Sequence, residues 1–509
     1  MPAVKPPRPL ESAEIKGTPE TVRALVHPPE WRNPDPAARY DLVVLGGGTA
    51  GLVSAMGAAG LGARVALVER HLLGGDCLNT GCVPSKAILR SASVAGELRQ
   101  AAGLGVSVKG VEIDFERVMG RMRARRAAIA VNDSAERLRR AGVDVFFGSG
   151  MFEDGQTMRV GESRLRFRRA VIATGSRPAA PSIPGLESVS YLTNETIFGL
   201  TTLPRRLLIL GAGPIGCELA QAFARFGSSV TVLDHSPEVL PREDADASAL
   251  VRRSLERDGV RFELAIRLDR VDGSSEEVTI TGAREPDGQS VACAGEALLV
   301  AAGRTPNIED LHLEAAGVRS TTEGVVVSDR LQTTNPRVYA SGDVCSAYKF
   351  THAADAMSRL VLRNALFFGR QKASALVIPW VTYTDPELAH VGVTQADVAE
   401  SGGRLATITI DLSEVDRAVV DDRTDGFVRV HHEGGRLRGC TIVAPHAGEM
   451  IAEAVFALTH GGTLGDLAST VHPYPTQTEA LRKAGDAYRR QSLTPRVRRW
   501  LERYFRWTR

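Results

Sequence analysis

The segment from Gly74 to Lys86 constrains this chain most, because it places two cysteines close together in a distinctive setting. Its sequence is Gly-Gly-Asp-Cys-Leu-Asn-Thr-Gly-Cys-Val-Pro-Ser-Lys, with four residues between Cys77 and Cys82. Pro84 lacks an N–H and has a φ fixed near the helical value, so it suits the first turn of a helix beginning near Cys82. Unpaired N–H groups at a helix N-terminus favour the thiolate, the reactive form of cysteine. Lys86 falls one helical turn later and adds a positive charge on the same face.

A metal site and two unrelated thiols are the alternatives to a reactive cysteine pair. A structural zinc site needs four ligands, and no second Cys or Cys/His pair stands nearby at ligand spacing. Unrelated thiols would not need the flanking glycines and proline, so the pattern favours a redox-active disulfide. The chain has six cysteines, of which only Cys77 and Cys82 are close in sequence. This distribution argues against a secreted disulfide framework, and no signal peptide is predicted, so we expect a cytoplasmic protein.

A glycine-rich turn follows the first apolar strand, which is predicted at residues 41–45. The pattern is G-x-G-x-x-G, and a second strand ends at Glu69, 21 residues after Gly48. In this strand–turn–helix context the glycines let a pyrophosphate approach the helix N-terminus, and the acid can accept hydrogen bonds from a ribose. The positions of the turn that we expect to contact a dinucleotide are Gly46, Gly48, Thr49, Ala50 and Gly51.

The same arrangement recurs later in the chain. A strand at residues 207–210 leads into a second glycine turn, and the following strand ends at Asp234. Each unit closes with another apolar strand and turn, so the sequence contains an internal duplication. The duplication predicts an α/β fold with two Rossmann-like dinucleotide-binding domains. The further positions expected to contact the two dinucleotides are Gly211, Gly213 and Gly216 in the second turn, and Thr174, Gly175 and Gly303 in the closing turns.

These features resemble the flavin-dependent pyridine nucleotide-disulfide oxidoreductases, the family of glutathione reductase, dihydrolipoamide dehydrogenase and mercuric reductase. The resemblance covers nearly all of residues 41–488 and implies FAD in the first unit and NADH or NADPH in the second. It implies that electrons pass from the nicotinamide through the flavin to the Cys77–Cys82 disulfide. Cys82 would be the thiol beside the flavin, and Cys77 the thiol that exchanges with substrate. Glu218 would pair with Lys86 next to the flavin, although a surface helix charge is its plainer interpretation.

The family resemblance also divides the chain and adds FAD-binding positions. It assigns Gly75, Gly342 and Asp343 to the flavin site. In the family the last domain is an α+β dimerisation domain that completes the partner's active site, so we expect a homodimer. The expected segments are a Pro-rich arm (1–40), the FAD-binding domain in two parts (41–195 and 318–373), the NAD(P)-binding domain (196–317), the dimerisation domain (374–488) and a basic tail (489–509).

The segment from His472 to Glu479 bears on the electron acceptor. Disulfide-reducing members of the family have a His-Pro-Thr-x-x-Glu pattern, in which the glutamate orients a histidine that acts as acid and base. Here Tyr474 has the offset of that histidine, and His472 lies two residues earlier. Mercuric reductases have a tyrosine at this offset and another similar to Tyr191, both near the metal-binding cysteines. Thr476 and Glu479 also fit the N-cap and N3 positions of a capping box.

We therefore expect a mercuric reductase-like enzyme in which Cys77 and Cys82 bind the metal ion only transiently, as substrate. Mercuric reductases carry an N-terminal Cys-x-x-Cys domain and a C-terminal cysteine pair, and this sequence shows neither. A dihydrolipoamide dehydrogenase-like disulfide reductase and a redox-responsive flavoprotein with little turnover are the alternatives. Asp234 favours a free ribose 2′-hydroxyl and therefore NADH, whereas His235, Arg242 and the NADPH use of mercuric reductases favour NADPH.

The charges are unevenly distributed along the chain. Residues 489–509 contain eight arginines and one glutamate, so the rest, with 54 basic and 59 acidic residues, carries a net charge of −5. This body gives no reason to expect a nucleic acid partner. Thr494 and Pro495 predict the start of an amphipathic helix in the tail. We expect the tail to dock on the acidic body, with an anionic membrane or another partner as the alternative.

Overall fold

The first sheet is built around the strand that leads into the first glycine turn. In the computed structural model, which describes residues 18–274 and 277–509, this strand is Tyr40–Leu45 and nearly all of its side chains are buried. Burial on both faces is typical of a parallel strand that helices cover on both sides. The parallel strands, in spatial order, are Val143–Phe147, Val65–Glu69, Tyr40–Leu45, Ser163–Ile172 and Val338–Ala340. The antiparallel strands Thr157–Val160 and Gly150–Asp154 extend the other end of Ser163–Ile172.

The last strand of this sheet comes from a distant part of the chain. Val338–Ala340 pairs in parallel with the end of Ser163–Ile172, with Tyr339 opposite Val171. The helix Thr351–Leu366 follows it and packs on Thr49–Gly60. The first unit is therefore completed only after the chain has built a second unit. Its helices are Pro19–Val26, Thr49–Gly60, Gly75–Asn79, Cys82–Gln100, Phe115–Ala130, Ala135–Arg140 and Thr351–Leu366.

The second unit repeats the architecture of the first with a smaller sheet. Its parallel strands, in spatial order, are Arg261–Glu263, Ser229–Leu233, Arg206–Leu210 and Ala297–Val300. The helices Pro214–Phe226 and Ala245–Arg257 accompany them. An antiparallel sheet of Ile266–Gly273, Val278–Arg284 and Ser290–Gly295 is inserted before the last parallel strand. Ser176–Pro178 pairs with Arg304–Pro306 and so joins the two units, whereas Ser320–Thr321 and Gly324–Val325 form a short local hairpin.

The third unit is an antiparallel sheet covered by helices. Its strands, in spatial order, are Trp380–Thr382, Glu387–Gly392, Arg436–Ala444, Phe427–Glu433 and Ala406–Asp411. Its helices are Gln395–Glu400, Asp416–Val420, Ala447–His460, Leu464–Ser469 and Glu479–Gln491, and the chain ends with Pro495–Thr508. Two parallel α/β units with glycine turns and a third α+β unit confirm the predicted fold class. In the described residues, no helix combines the length and hydrophobicity needed to cross a bilayer.

Part of the N-terminal arm packs on the first sheet. Residues 1–17 of the predicted arm lie outside the described residues. Pro19–Val26 is a helix rather than extended chain, and its Val22 and Val26 are buried. The Trp31 indole N–H donates to the carbonyl of Val145 on the edge strand at 3.1 Å. The arm from residue 18 onward therefore covers one edge of the sheet.

Two local predictions near the C-terminus are wrong. Glu479 is the first residue of its helix and follows the N-cap Thr478, so it does not occupy the N3 position of a capping box with Thr476. The tail helix Pro495–Thr508 has no buried residue, and Trp507 is 84% exposed. Its apolar face therefore does not dock on the body of its own chain. The predicted helix start is confirmed, because Thr494 caps the helix and Pro495 is its first residue.

Candidate active site

A short turn places the two cysteines at the junction of two helices. Gly75–Asn79 contains Cys77, and the next helix, Cys82–Gln100, begins at Cys82. The N-cap of that helix is Gly81, so no side chain caps its N-terminal N–H groups. Both cysteines are free thiols, with Cys77 half-buried and Cys82 exposed. The predicted placement of Cys82 at a helix N-terminus is correct.

The two thiols of this pair differ strongly in acidity. The pKa of Cys82 is lowered to about 6, first by the hydrogen bond with the Cys77 thiol and then by Thr351 and the charge of Lys86, although desolvation by the surrounding protein atoms opposes this shift. The Thr351 hydroxyl lies 3.3 Å from the Cys82 sulfur. The same Cys77–Cys82 hydrogen bond, together with burial, raises the pKa of Cys77. At neutral pH the pair therefore consists of a thiolate at Cys82 and a thiol at Cys77.

Lys86 is held beside the cysteine by a buried carboxylate. Its ammonium group lies 2.7 Å from an oxygen of Glu218, whose side chain is 7% exposed. The second oxygen of Glu218 accepts a hydrogen bond from the backbone N–H of Tyr383 at 2.9 Å. The Tyr383 ring lies under the ammonium group, 4.4 Å from its nitrogen, an arrangement that adds a cation–π contact. The first, second and third units thus each contribute one residue to this cluster.

The first glycine turn has no room for a side chain at Gly46 or Gly51. Gly46 has a φ of +105°, and a Cβ on Gly51 would lie 1.7 Å from the Gly46 carbonyl oxygen. Thr49 and Ala50 open the helix at this turn. A Cβ on Gly75 would lie 2.6 Å from the Cα of Gly48, so the cysteine segment passes directly over the turn. The bare turn leaves the helix N-terminus accessible to a pyrophosphate.

The second turn reproduces this geometry. Gly211 has a φ of +110°, and a Cβ on Gly216 would lie 1.9 Å from the Gly211 carbonyl oxygen. Gly213 is the N-cap of the helix Pro214–Phe226. Gly303 follows the closing strand and has a φ of +125°. The duplication predicted from the sequence is therefore also a duplication of backbone geometry.

In each of the first two units, the acidic residue at the end of the second strand accepts a hydrogen bond from the glycine turn. Glu69 accepts a hydrogen bond from the N–H of Gly47 at 2.6 Å, and Asp234 accepts one from the N–H of Ala212, also at 2.6 Å. The other oxygen of each carboxylate accepts from a nearby backbone N–H. Because each carboxylate oxygen has a second lone pair, both acids keep capacity for a ribose hydroxyl. Their predicted ribose contacts remain predictions.

The closing turns place a second acid near the first glycine turn. Asp343 accepts a hydrogen bond from the Ser176 hydroxyl at 2.6 Å, and burial is the main effect that raises its pKa. The Thr174 hydroxyl donates a hydrogen bond to the backbone carbonyl of Asn307 at 2.7 Å, and Gly175 and Gly342 both have positive φ. These residues meet at the carboxyl ends of the parallel strands, where α/β sheets bind their ligands. The first glycine turn, the Asp343 carboxylate and the location at the ends of the parallel strands together fit FAD.

Arg304 connects the short helix that carries Cys77, Gly75–Asn79, to Asp343. Arg304 lies 2.6 Å from a carboxylate oxygen of Asp76, the neighbour of Cys77, and 3.8 Å from Asp343. Asn194 donates to the other oxygen of Asp76 at 3.0 Å. Tyr191 is half-buried against the core of the second sheet, and Asn194 is the residue of its segment that contacts the cysteine helix. A role for Tyr191 beside the cysteines remains a prediction.

The C-terminal site residues have partners within the third unit. Tyr474 is 70% exposed, and its hydroxyl donates to Asp416 at 2.9 Å. This hydrogen bond is the main effect that raises the Tyr474 pKa. The His472 ring nitrogen lies 3.0 Å from a carboxylate oxygen of Glu453. Tyr474 and His472 therefore each pair with a carboxylate other than Glu479.

Glu479 does not orient either residue in the described chain. One of its oxygens accepts a hydrogen bond from Arg482 at 2.5 Å, within the same helix. Its other oxygen is buried and has no partner among the described atoms. Among the described residues, neither Tyr474 nor His472 is therefore paired with Glu479, and their roles remain predictions.

Sequence reasoning missed Thr351, Tyr383, Arg304 and Asn194. Each contacts the cysteine segment or the Lys86–Glu218 pair from a distant part of the chain. Arg304 had one sequence signal, since it directly follows the closing glycine of the second unit. Asn194 lies three residues after Tyr191, but the sequence indicated a role only for the tyrosine, and the segments of Thr351 and Tyr383 have no motif of their own.

Two dinucleotide turns beside an acidic cysteine define an electron-transfer enzyme with a redox-active disulfide. The family model described as "Pyridine nucleotide-disulphide oxidoreductase" matches residues 40–358, and the dimerisation domain of that family matches residues 378–485. The chain belongs to this family, whose cofactors are FAD and a pyridine nucleotide. The dimerisation domain supports a homodimer.

Similar proteins fall into several functional groups. The chain is 37% identical to a mercuric reductase of Streptomyces lividans over 467 residues, covering 88% of this chain and 96% of the relative. It is 35% identical to a mercuric reductase of Bacillus cereus, covering 87% and 71%. It is 33% identical to a dihydrolipoyl dehydrogenase of Bacillus subtilis, covering 88% and 98%. A Cu(II) complex of a variant of RclA, an HOCl-induced flavoprotein disulfide reductase from Escherichia coli, has a TM-score of 0.78 at 27% identity, covering 88% and 99%.

Proposed function

We propose that the electron acceptor of this disulfide oxidoreductase is a soft metal ion, held briefly by the thiolates of Cys77 and Cys82. The observation that carries this proposal is the hydrogen bond of Tyr474 to Asp416, at the position where disulfide-reducing relatives have an acid–base histidine. Thiolates are preferred ligands of soft metal ions. Metal binding displaces the Cys77 proton to water. Two electrons then leave the pair, which returns to the disulfide, and they reduce one mercuric ion to the metal or two Cu(II) ions by one electron each.

The cofactor residues support delivery of electrons to this pair. Bound FAD supplies two-electron transfer between the nicotinamide and the disulfide. The turn at Gly46–Gly51, with Glu69 and Asp343, would hold FAD, and the turn at Gly211–Gly216 would hold the nicotinamide dinucleotide. Lys86, held in place by Glu218 at 2.7 Å, would lie beside the reacting end of FAD, where its ammonium charge would stabilise negative charge. Cys82, with its lowered pKa, is the thiol that we place on the flavin side.

Proton supply separates metal reduction from disulfide reduction. A disulfide substrate accepts two electrons and releases thiolates that must gain protons, a task for which general acid catalysis contributes roughly 10²–10⁴-fold. The hydrogen bond to Asp416 raises the Tyr474 pKa, so Tyr474 holds its proton at neutral pH and is a poor shuttle. A metal ion bound by two thiolates needs no such proton. In its own chain Tyr474 is largely exposed, a position that suits contact with the active site of the partner subunit.

Reduction of a small disulfide is the second candidate function. The observation that favours it is the pair formed by His472 and Glu453, at 3.0 Å, because an imidazole oriented by a carboxylate can donate and accept protons. The dihydrolipoyl dehydrogenase among the similar proteins supports the same class of substrate. The mercuric reductases and the copper complex of RclA support a metal ion instead.

A substrate panel with matched variants tests these two functions. Steady-state NAD(P)H oxidation would be measured with mercuric ion, Cu(II), lipoamide and glutathione disulfide, and reduction of the enzyme by NAD(P)H would be followed separately by stopped flow. We expect fast reduction of the enzyme, faster turnover with a metal ion than with either disulfide, and slower metal reduction in Tyr474→Phe. Tyr474→His should raise disulfide turnover.

The variant His472→Gln distinguishes the second candidate. If His472 serves a disulfide substrate, this variant should lower disulfide turnover and leave metal reduction unchanged. If the unmodified enzyme reduces lipoamide as fast as NAD(P)H reduces the enzyme, the metal-reductase proposal is wrong. The panel would also be run with NADH and NADPH, and we favour NADH because of Asp234.

A further inference from the structure

The C-terminal helix lies outside the part of the chain that the family models match. The dimerisation-domain match ends at residue 485, whereas the helix Pro495–Thr508 lies beyond it. The helix has a proper start of its own, since the Thr494 hydroxyl accepts a hydrogen bond from the N–H of Val497 at 3.3 Å. The match to the dimerisation domain therefore assigns no role to the helix.

Two faces of this helix differ completely in character. At about 100° per residue, its apolar and charged side chains occupy separate arcs of about 160° each. The apolar face consists of Val497, Trp500, Leu501, Tyr504, Phe505 and Trp507. The charged face consists of five arginines and Glu502. Trp500 is 63% exposed and Trp507 is 84% exposed, so the aromatic face is open to the surroundings.

The composition of both faces indicates what covers them. Tryptophan and tyrosine favour the boundary between the polar headgroups and the acyl chains of a bilayer. Arginines next to such a face attract anionic headgroups, whose surface potential acts within about a Debye length. The tail from residue 489 has eight arginines and one glutamate, whereas the rest of the chain carries only −5 over 488 residues. The positive charge of the tail is therefore better complemented by a surface with a high density of negative charge than by the weakly negative body of the chain.

We propose that the C-terminal helix binds the surface of an anionic lipid bilayer, with its aromatic face between the headgroups. The helix has 14 residues and is therefore about 21 Å long, shorter than the roughly 30 Å hydrocarbon core. It would thus lie in the plane of the interface. The proposal is independent of the electron acceptor, because the residues placed in the active site belong to the three units that precede the tail.

Vesicle flotation of the full-length, flavin-loaded protein tests this proposal. The vesicles would be neutral phosphatidylcholine alone or phosphatidylcholine mixed with an anionic phospholipid, at low and high salt. We expect binding to the anionic vesicles only, weaker at high salt, with a blue shift of tryptophan emission. Truncation after Arg490 should abolish binding. Arg499→Gln with Arg503→Gln should weaken it by at least about tenfold, since each arginine near such a surface contributes about fivefold.

Matched variants separate the helix from general effects of charge. Arg139→Gln with Arg140→Gln removes the same charge from another exposed helix and should leave vesicle binding unchanged. Trp500→Ala with Trp507→Ala should lower binding even at low salt, because it removes the buried aromatic area. Every tail variant should keep the wild-type rate of reduction by NAD(P)H.

Three results would overturn the proposal. The full-length protein could fail to bind anionic vesicles, or the version truncated after Arg490 could bind them equally well. Alternatively, truncation could change the oligomeric mass measured by light scattering while vesicle binding stays absent, which would assign the aromatic face to a second copy of the chain.

Discussion

Replacement of Cys77 by alanine tests how the site keeps Cys82 ionised. The hydrogen bond with the Cys77 thiol is the largest effect that lowers the Cys82 pKa to about 6, ahead of the Thr351 hydroxyl and the Lys86 charge. Cys77→Ala removes this donor and should move the Cys82 pKa toward the ordinary value of 9.0. Over that full range, the thiolate fraction at pH 7 would fall from about 90% to about 1%.

The assay is alkylation of the reduced protein by iodoacetamide as a function of pH. The midpoint of the rate profile is the readout, because a thiolate of higher pKa is intrinsically more nucleophilic and this partly masks a change in rate at one pH. Cys217, Cys293 and Cys440 are buried and should react slowly. Cys77→Ser is the matched control, since its hydroxyl keeps a donor in the same place and should leave the Cys82 midpoint low.

The expected midpoint is highest in Cys77→Ala, intermediate in Lys86→Met and lowest in the wild type. An unchanged midpoint in Cys77→Ala would refute the reasoning. A larger rise in Lys86→Met than in Cys77→Ala would do the same, because it would show that the positive charge, rather than the thiol hydrogen bond, stabilises the Cys82 thiolate.

Other variants test the flavin turn, the flavin-side thiol and a buried ion pair. Gly51→Ala should purify without flavin, because its Cβ would lie 1.7 Å from a carbonyl oxygen, whereas Gly60→Ala has open space in the same helix and should keep its yellow colour. Cys82→Ser should bind flavin but lose the long-wavelength thiolate–flavin band after two-electron reduction, and persistence of the band would contradict the assignment. Arg225 is 3% exposed and pairs with two aspartates at 2.8 Å, so Arg225→Met should lower the free energy of unfolding by about 3–5 kcal/mol. Arg252→Met, at an exposed pair, should change it by less than about 1 kcal/mol in the same denaturant titration.

The sequence alone determined the features that depend on local backbone geometry. The turns at Gly46–Gly51 and Gly211–Gly216 need glycine because a Cβ would overlap a carbonyl oxygen within the same turn. Such requirements leave a readable spacing, and the acids that end the following strands stand at a fixed offset from it. The helix start at Cys82 is likewise set by its neighbours Gly81 and Pro84. The duplication, the fold class and the redox pair were therefore predictable.

Only the tertiary structure decided which distant side chains meet. Lys86 and Glu218 lie 132 residues apart in the chain, and the sequence suggested their pairing only through family resemblance. Nothing in the sequence indicated that Thr351 would lie beside Cys82, or that the backbone of Tyr383 would hold Glu218. Such contacts depend on how three units pack together and leave no spacing pattern along the chain.

The C-terminal tail shows the same limit of prediction from sequence. Its amphipathic helix was predictable from the periodicity of residues 495–508, because each side chain's direction follows from helix geometry. Whether the apolar face packs on the body was not predictable, since that depends on the shape and charge of a surface assembled from remote segments. The structure leaves the apolar face of the helix exposed. Docking would need a complementary surface on the body of the chain, and the sequence of the helix alone cannot show whether one exists.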